Sequence, residues 1–308
     1  MAGAPVELLL SPLSLAILGL AVGSFLNVVI HRLPLMLERR WWADVHHQLQ
    51  DAASFERIFG APLPASIGQA TSGLGEAITK LTPYGLARPG SCCPSCTKPI
   101  RWYQNIPLVS WIWLRARCES CNASISARYP LIEALCAAVF AAVGWRLGAQ
   151  PVALLWCGFA AALLALSVID WDTTVLPDDL TLPLLWAGLL ASAAGWTLPI
   201  SQAVIGAAAG YMALWSVYWL FKLATGKEGM GYGDFKLLAA MGAWLGWQAL
   251  LPIVLAASIL GAMVGIGMKF AGALREGRYV PFGPFLAGAG IVIMLLGTSR
   301  ALDWLGWA

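Results

Sequence analysis

The chain has 308 residues, of which 59% are hydrophobic and 11% charged, and its mean hydropathy is +0.72. Soluble domains carry about 25% charged residues, and a soluble surface as apolar as this one would aggregate. The composition therefore excludes an ordinary soluble protein and predicts a lipid bilayer as the solvent for most of the chain. The net charge of +3 is small, and we expect no nucleic acid partner.

Eight apolar stretches approach the length of about 20 residues that a membrane-spanning helix needs. They lie at residues 8–30, 130–147, 151–170, 179–195, 200–222, 235–248, 250–270 and 284–303. We therefore predict an all-α polytopic membrane protein with about eight transmembrane helices. The stretches at 235–248 and 250–270 are short for two crossings, so a single kinked helix is an alternative there.

The positions of lysine and arginine orient these predicted spans. With the polar segment 32–129 in the cytoplasm, 17 of the 19 basic residues, including Arg275 and Arg278, lie in cytoplasmic segments. Only Arg146 and Arg300 fall on the other side. Because cytoplasmic loops of membrane proteins are enriched in basic residues, we predict that the polar segment is cytoplasmic and that both chain ends lie outside.

The first stretch and the residues after it have distinct patterns. No basic residue precedes the stretch and His31 and Arg32 follow it, which is the reverse of a cleaved signal peptide, so we expect an uncleaved span. Residues 35–59 then place apolar side chains at roughly helical spacing between charged ones. This pattern predicts an amphipathic helix that either lies on the membrane surface or packs within a small cytoplasmic domain.

Cysteine spacing indicates a metal site in the polar segment. Four of the seven cysteines form two CxxC pairs: Cys93, Cys96, Cys118 and Cys121. Two such pairs complete a tetrahedral zinc site that has no open position for catalysis, and the alternative, disulfides, is disfavoured in a reducing cytoplasm. We therefore expect structural zinc, for which Cys92 could compete with Cys93 as a ligand. Cys136 and Cys157 lie in apolar spans and are interpreted as core residues.

Aspartates at the ends of spans are candidate functional residues, because acidic residues inside a membrane are costly unless they are paired or face water. Asp170, Asp172, Asp178 and Asp179 lie from the end of the third predicted span to the start of the fourth, and Asp234 directly precedes the sixth. Both places are on the same side of the membrane, as a two-carboxylate site requires. Asp178 and Asp179 are natural helix N-caps, and Asp234 alone could be one too. Spacing does not choose between Asp170 and Asp172.

Several motifs together resemble a known family. Gly-Tyr-Gly-Asp at 231–234 begins a span, and Leu-Pro-Asp at 176–178 follows an earlier aspartate. This pair of motifs resembles the GxGD membrane aspartyl proteases, and within them the chain is similar to the bacterial type IV prepilin peptidases. Residues 23–34, 100–111 and 125–133 also resemble that family, so the resemblance extends from about residue 20 to the C-terminus.

The resemblance implies a function and its residues. The catalytic pair would be Asp170 and Asp234, and the zinc ligands would be the four cysteines of the CxxC pairs. The substrates would be type IV prepilins and the pseudopilins of type II secretion, whose basic leader is cleaved after a glycine at the cytoplasmic face of the bacterial inner membrane. The new N-terminal residue would then be N-methylated with S-adenosylmethionine, although no glycine-rich Rossmann signature shows where that methyl donor would bind.

The resemblance also suggests a division of the chain. We expect a first transmembrane span at 1–31, a cytoplasmic zinc-binding domain associated with methyl transfer at 32–129, and a membrane aspartyl protease domain of about seven spans at 130–308. One departure from the family lies before the third cysteine, where Arg-Gly-Arg or Gly-Gly-Lys is usual and this chain has Arg-Ala-Arg at 115–117. If the glycine serves a backbone with positive φ, Ala116 should slow methylation.

Two adjacent carboxyl groups suggest a mechanism, because they cannot both ionise cheaply and therefore share a proton. One would take a proton from water while the other donates one to the carbonyl oxygen. Asp234 at a helix N-terminus is the expected ionised partner, since the helix dipole favours negative charge there. Two other classes of function are a carboxylate-based transporter and a non-enzymatic component of a pilus or secretion machine. The transporter is disfavoured because both carboxylate groups lie at one interface, not at the bilayer midplane.

Overall fold

The computed structural model describes residues 4–272 and 280–307, and Arg275 and Arg278 lie outside these ranges. Within them the chain forms thirteen α-helices, two short 3₁₀ helices and no β-strand. The α-helices are α1 Ala4–Leu9, α2 Pro12–Gln50, α3 Ala52–Phe59, α4 Ala65–Thr79, α5 Val109–Trp113, α6 Arg128–Leu147, α7 Val152–Thr173, α8 Asp178–Ala193, α9 Ile200–Thr225, α10 Tyr232–Leu245, α11 Leu250–Phe270, α12 Gly283–Leu296 and α13 Thr298–Trp304.

The helices confirm a polytopic all-α membrane protein, with fewer full-length spans than predicted. Helices lie at all eight predicted places, but only five of the described helices are long and apolar enough to cross a membrane. Together, α12 and α13 would make a sixth, although the chain bends by 102° between them. The two predicted spans that fall short are α8, with 16 residues, and α10, with 14.

The segment 235–270 forms two helices, and the single kinked helix considered as an alternative is excluded. Gly246 ends α10 with a φ of +82°, a conformation that glycine adopts without steric strain. A 3₁₀ turn at Trp247–Ala249 then leads into α11. From Asp234 to Leu245 every residue of α10 except Lys236 is buried, so α10 is an interior helix among α8, α9 and α12.

The first predicted span does not end near Ile30 but continues through most of the predicted amphipathic helix. Pro34 lies inside α2 without ending it. At 1.5 Å per residue the 39 residues of α2 extend about 58 Å, whereas the hydrocarbon core of a bilayer is about 30 Å thick. The C-terminal part of α2 therefore projects beyond the membrane, where α4 packs against it.

A face of small residues on α12 joins two groups of helices. In the first group α7 packs against α2 and α6, and in the second α10 packs against α8 and α9, while α12 contacts both α7 and α10. Gly283, Ala287 and Gly290 are buried on this face. A Cβ on Gly290 would lie 2.5 Å from Sδ of Met241 in α10 and 3.4 Å from Cδ1 of Leu163 in α7. Small residues thus allow three helices to approach closely.

Candidate active site and metal site

The two predicted catalytic aspartates lie at one end of the helix assembly, here called the carboxylate end, where α7 ends and α8 and α10 begin. Asp170 is in the last turn of α7 and Asp234 in the first turn of α10. Both residues are buried, with relative exposures of 5% and 7%. Their carboxyl groups are close enough to interact electrostatically. The fold therefore brings together two carboxyl groups that are 64 positions apart in the sequence.

Gly283, at the start of α12, forms a wall of this site. A Cβ on Gly283 would lie 2.5 Å from Oδ2 of Asp170, so only glycine leaves room for this carboxylate. Leu176, in the loop after α7, lies against both Gly283 and Gly233: its Cδ1 and Cβ atoms would be 3.2 Å and 2.8 Å from Cβ atoms placed on those glycines. The sequence reasoning missed Gly283. The available signal was a glycine directly before Pro284 at the start of a span, because proline marks helix starts.

Asp172, the alternative to Asp170, has a cationic partner. Its carboxylate pairs with both terminal nitrogens of the Arg128 guanidinium, one of them at 3.1 Å. By contrast, Asp170 forms no ion pair with any residue in the described ranges. A buried carboxyl group without a cationic partner holds a proton more readily than a paired one. This difference favours Asp170 over Asp172 for proton transfer.

Asp178 and Asp179 are not the N-caps that the sequence suggested. They are the first two residues of α8, and Pro177 occupies the capping position without a side-chain hydrogen bond. Instead, both carboxylates form ion pairs. The Lys236 ammonium lies 2.8 Å from Asp178, and the Arg40 guanidinium lies 3.0 Å from Asp179. Their interpretation as structural residues is retained, with a different interaction. Asp234 is likewise not an N-cap, since α10 begins two residues earlier.

The four cysteines of the CxxC pairs converge on one point. The sulfur atoms of Cys93, Cys96, Cys118 and Cys121 all lie within 4.8 Å of one another. The Sγ atoms of Cys93 and Cys121 are 3.8 Å apart. In a tetrahedral site with Zn–S bonds of about 2.3 Å, sulfurs are separated by about 3.8 Å. The cluster therefore has the ligand type and the size of a tetrathiolate metal site.

The two CxxC turns share one backbone conformation. The N–H of Thr97 donates to the carbonyl of Cys93 at 2.8 Å, and the N–H of Asn122 donates to the carbonyl of Cys118 at 2.9 Å. Thr97 and Asn122 have similar positive φ angles of 58° and 56°. In the first turn, hydrogen bonds from backbone N–H groups, foremost that of Cys96, lower the pKa of Cys93 to about 6.

The other three cysteines lie outside this cluster. Cys92 is exposed and its backbone forms an isolated bridge with Pro99, so it does not compete with Cys93 in this conformation. Cys136 and Cys157 are buried in α6 and α7. Their interpretation as small core residues is confirmed.

Ala116, the residue at which the chain departs from the family pattern, has a left-handed backbone conformation. The φ angles of Arg115 and Ala116 are +51° and +58°, and this conformation costs a residue other than glycine about 1–2 kcal/mol. The Ala116 N–H donates to the carbonyl of Trp111 at 2.9 Å, and its carbonyl accepts from the N–H of Ile125 at 2.7 Å. The suspected positive φ at this position is confirmed. Its effect on methylation stays a prediction.

Buried polar side chains attach the long loop to the membrane helices. The Arg32 guanidinium, on α2, donates to the carbonyl of Gly85 at 3.0 Å. The Glu133 carboxylate, on α6, accepts from the N–H of Leu108 at 2.8 Å. Both side chains are buried and lie in segments that carry the sequence resemblance. The loop that carries the CxxC turns is therefore attached by hydrogen bonds to the middle of α2 and to the N-terminal part of α6.

Two family models match consecutive parts of the chain. The bacterial peptidase A24 N-terminal domain matches residues 17–147, which include the four cysteines of the cluster. The type IV leader peptidase family matches residues 157–266, which include Asp170 and Asp234. No solved structure gives a significant match.

Curated relatives match most of the chain and share one name, prepilin leader peptidase/N-methyltransferase. The relative from Aeromonas hydrophila is 50% identical over 91% of this chain and 89% of its own length. The one from Stutzerimonas stutzeri is 45% identical over 99% of both chains, and the one from Pseudomonas aeruginosa is 45% identical over 95% and 92%. With this identity over nearly its whole length, the chain belongs to the type IV leader peptidase family.

Proposed function

We propose that the chain cleaves the leader peptide of prepilins and pseudopilins with Asp170 and Asp234 as its catalytic pair, and that it N-methylates the new N-terminus. The observation that carries the proposal is the burial of these two carboxyl groups together at one end of a set of membrane helices. The names of the relatives support both activities. They give no support to a transporter or a non-enzymatic assembly component.

The placement of the two aspartates supports different roles for them. Asp234 lies in the first turn of α10, where the helix dipole favours a negative charge, and Asp170 lies in the last turn of α7, where the dipole disfavours one. We therefore assign Asp234 as the group that takes a proton from the attacking water. Asp170 then donates its proton to the carbonyl oxygen of the scissile bond. As the tetrahedral intermediate collapses, Asp234 gives its proton to the leaving amine nitrogen while the C–N bond breaks, and Asp170 recovers a proton from a hydroxyl group of the intermediate, so the pair returns to its starting state.

The location of the pair fits the prepilin substrate that the family implies, and it indicates how that substrate is oriented. A prepilin has a basic leader before a hydrophobic helix, so its cleavage site lies where a membrane-held helix meets water. The carboxylate end of the assembly has that position, because the long polar segment begins and ends there. Of the 19 basic residues, 17 lie in segments on the same side of the membrane as this end. This distribution supports a cytoplasmic location of the carboxylate end and an inner-membrane protein.

For the metal site we propose one Zn²⁺ bound by Cys93, Cys96, Cys118 and Cys121. Four thiolates fill a tetrahedral site, so this ion would fold the loop and take no part in the chemistry. The loop carries Ala116, and we assign residues 32–129 to methyl transfer from S-adenosylmethionine, with residues 1–31 and 130–308 in the membrane. Because α2 crosses the first of these boundaries without a break, the loop region and the first span would move together.

Replacing either catalytic aspartate should abolish cleavage. We expect Asp170→Asn and Asp234→Asn each to lower the rate of leader removal by about 10²–10⁴-fold, because neither carboxyl group alone can carry both proton transfers. The measurement is cleavage of a purified prepilin by each purified variant in proteoliposomes, with thermal unfolding as the check on folding. Asp172→Asn is the matched control and should retain activity. Full cleavage by Asp170→Asn or by Asp234→Asn contradicts the assignment. An active Asp170→Asn variant together with an inactive Asp172→Asn variant contradicts it as well.

Metal content tests the cysteine cluster. The purified protein should contain about one zinc per chain, and Cys93→Ser and Cys121→Ser should lose it, because a tetrathiolate site is weakened when one ligand is removed. Elemental mass spectrometry measures the metal, and Cys92→Ser, one residue away but outside the cluster, should keep it. A folded protein without zinc in which all four thiols react with an alkylating reagent would rule out the site.

A glycine at position 116 should favour methylation. Ala116→Gly removes the strain of a positive φ, about 1 kcal/mol, and we expect faster methylation with unchanged cleavage. Mass spectrometry of the processed pilin reads leader removal and the added methyl group in the same sample. The control is Ala87→Gly, because Ala87 is an exposed residue of the same loop without a positive φ, so glycine relieves no strain there. Complete methylation by the natural chain, unchanged in Ala116→Gly, would show that alanine does no harm there.

A further inference from the structure

One of the two arginines that the sequence places opposite all other basic residues lines a cavity, and the other lies in a helix whose start borders that cavity. Arg146, near the end of α6, lines a cavity of about 170 Å³. One of its terminal nitrogens would lie 2.9 Å from a Cβ on Gly297, the residue between α12 and α13. Gly297 and Thr298 also line the cavity, and Arg300 follows them in the first turn of α13. The cavity lies at the ends of α6, α10 and α12 that are opposite the carboxylate end.

Neither arginine has an acidic partner within residues 4–272 and 280–307. All five ion pairs of this part of the chain involve other residues. The acidic residues expected at this end are Glu7 in α1 and Asp303 in α13, and neither of them forms an ion pair. Two positive charges that approach one another repel, and an anion between them would turn that repulsion into attraction.

The rest of the cavity is mainly apolar, which restricts the kind of anion. Its lining includes Trp156, Trp244, Ile293 and Met294. The indole N–H of Trp244 already donates to the carbonyl of Leu184 at 2.8 Å, so this side chain offers only its ring surface. A ligand that fits needs an anionic group beside the arginines and a hydrocarbon portion behind it.

Exposed tryptophans place this end at the membrane–water interface. Five of them lie on helix ends or connections here, with relative exposures between 50% and 84%: Trp145, Trp196, Trp247, Trp304 and Trp307. Tryptophan is enriched at the depth of lipid headgroups. The phosphates of phospholipids are therefore the anions that occur at the level of the two arginines.

We propose that Arg146 and Arg300 form a binding site for the phosphate headgroup of an anionic phospholipid, with part of an acyl chain in the cavity. Guanidinium groups bind phosphate oxygens through paired, charge-assisted hydrogen bonds. Free phosphate has the same oxygens but leaves the apolar lining unused, so the cavity favours the lipid. The site is separate from the proposed peptidase site and would connect α6 with α12 and α13.

Lipid retention tests this proposal on the full-length protein. The protein, purified in a neutral detergent, is incubated with phosphatidylglycerol, phosphatidylcholine or inorganic phosphate, and native mass spectrometry counts the bound lipid while thermal unfolding measures stabilisation. We expect preferential retention of phosphatidylglycerol over phosphatidylcholine. The variant Arg146→Gln/Arg300→Gln should weaken phosphatidylglycerol binding about tenfold or more through the loss of charged hydrogen bonds.

Two further variants keep the test decisive. Arg57→Gln removes an exposed positive charge from α3, outside the cavity, and should bind phosphatidylglycerol like the natural chain. If the double variant does not fold, the single variant Arg300→Gln is compared with the natural chain instead. Arg300 is exposed on α13, a helix of seven residues, so its replacement should leave the fold intact. Equal retention of both lipids, or unchanged phosphatidylglycerol binding by the arginine variants, overturns the proposal. Equal stabilisation by inorganic phosphate through the same arginines overturns the assignment to a lipid.

Discussion

The close approach of α12 to both α7 and α10 is the contact on which the proposed active site depends. A carboxyl group is unfavourable in a membrane unless it is paired, solvated or protonated, and neither α7 nor α10 alone supplies a partner for its aspartate. Small residues on one face of α12 bring the two helices together, and Gly283 leaves the space that the Asp170 carboxylate occupies. The chemistry therefore rests on helix packing that a side chain as small as alanine would disturb.

Two ion pairs connect the segment 32–129 to α7 and α8. Arg128, at the start of α6 just after the loop, pairs with Asp172, two residues from Asp170. Arg40, on the projecting part of α2, pairs with Asp179 on α8. Partly exposed pairs of this kind contribute about 1 kcal/mol or less each, so they orient the two regions more than they stabilise them. Cleavage and methylation would then take place at the same end of the molecule.

Much of this arrangement could be predicted from sequence, because its signals are local. Composition indicated membrane helices, CxxC spacing indicated the metal cluster, and motif resemblance selected Asp170 and Asp234. The features that were missed depend on contacts between distant residues. The Arg128 partner of Asp172 has no local pattern, and the Gly-Pro pair at 283–284 marks a helix start without showing that Gly283 lies against Asp170. The length of α2 was also missed, because the apolar stretch that predicted the first span ends at Ile30, whereas the helix continues through charged residues to Gln50.

The most direct test of the account is the rate of leader cleavage by Gly283→Ala. The added methyl group would lie 2.5 Å from the Asp170 carboxylate and must displace it, and a displacement of about 1 Å can reduce a catalysed rate by about 10²-fold. Gly288→Ala is the matched control on the same helix, because a Cβ there would meet nothing within 4 Å. The account predicts a folded Gly283→Ala protein with strongly reduced cleavage beside an active Gly288→Ala protein. Wild-type cleavage by Gly283→Ala would contradict it.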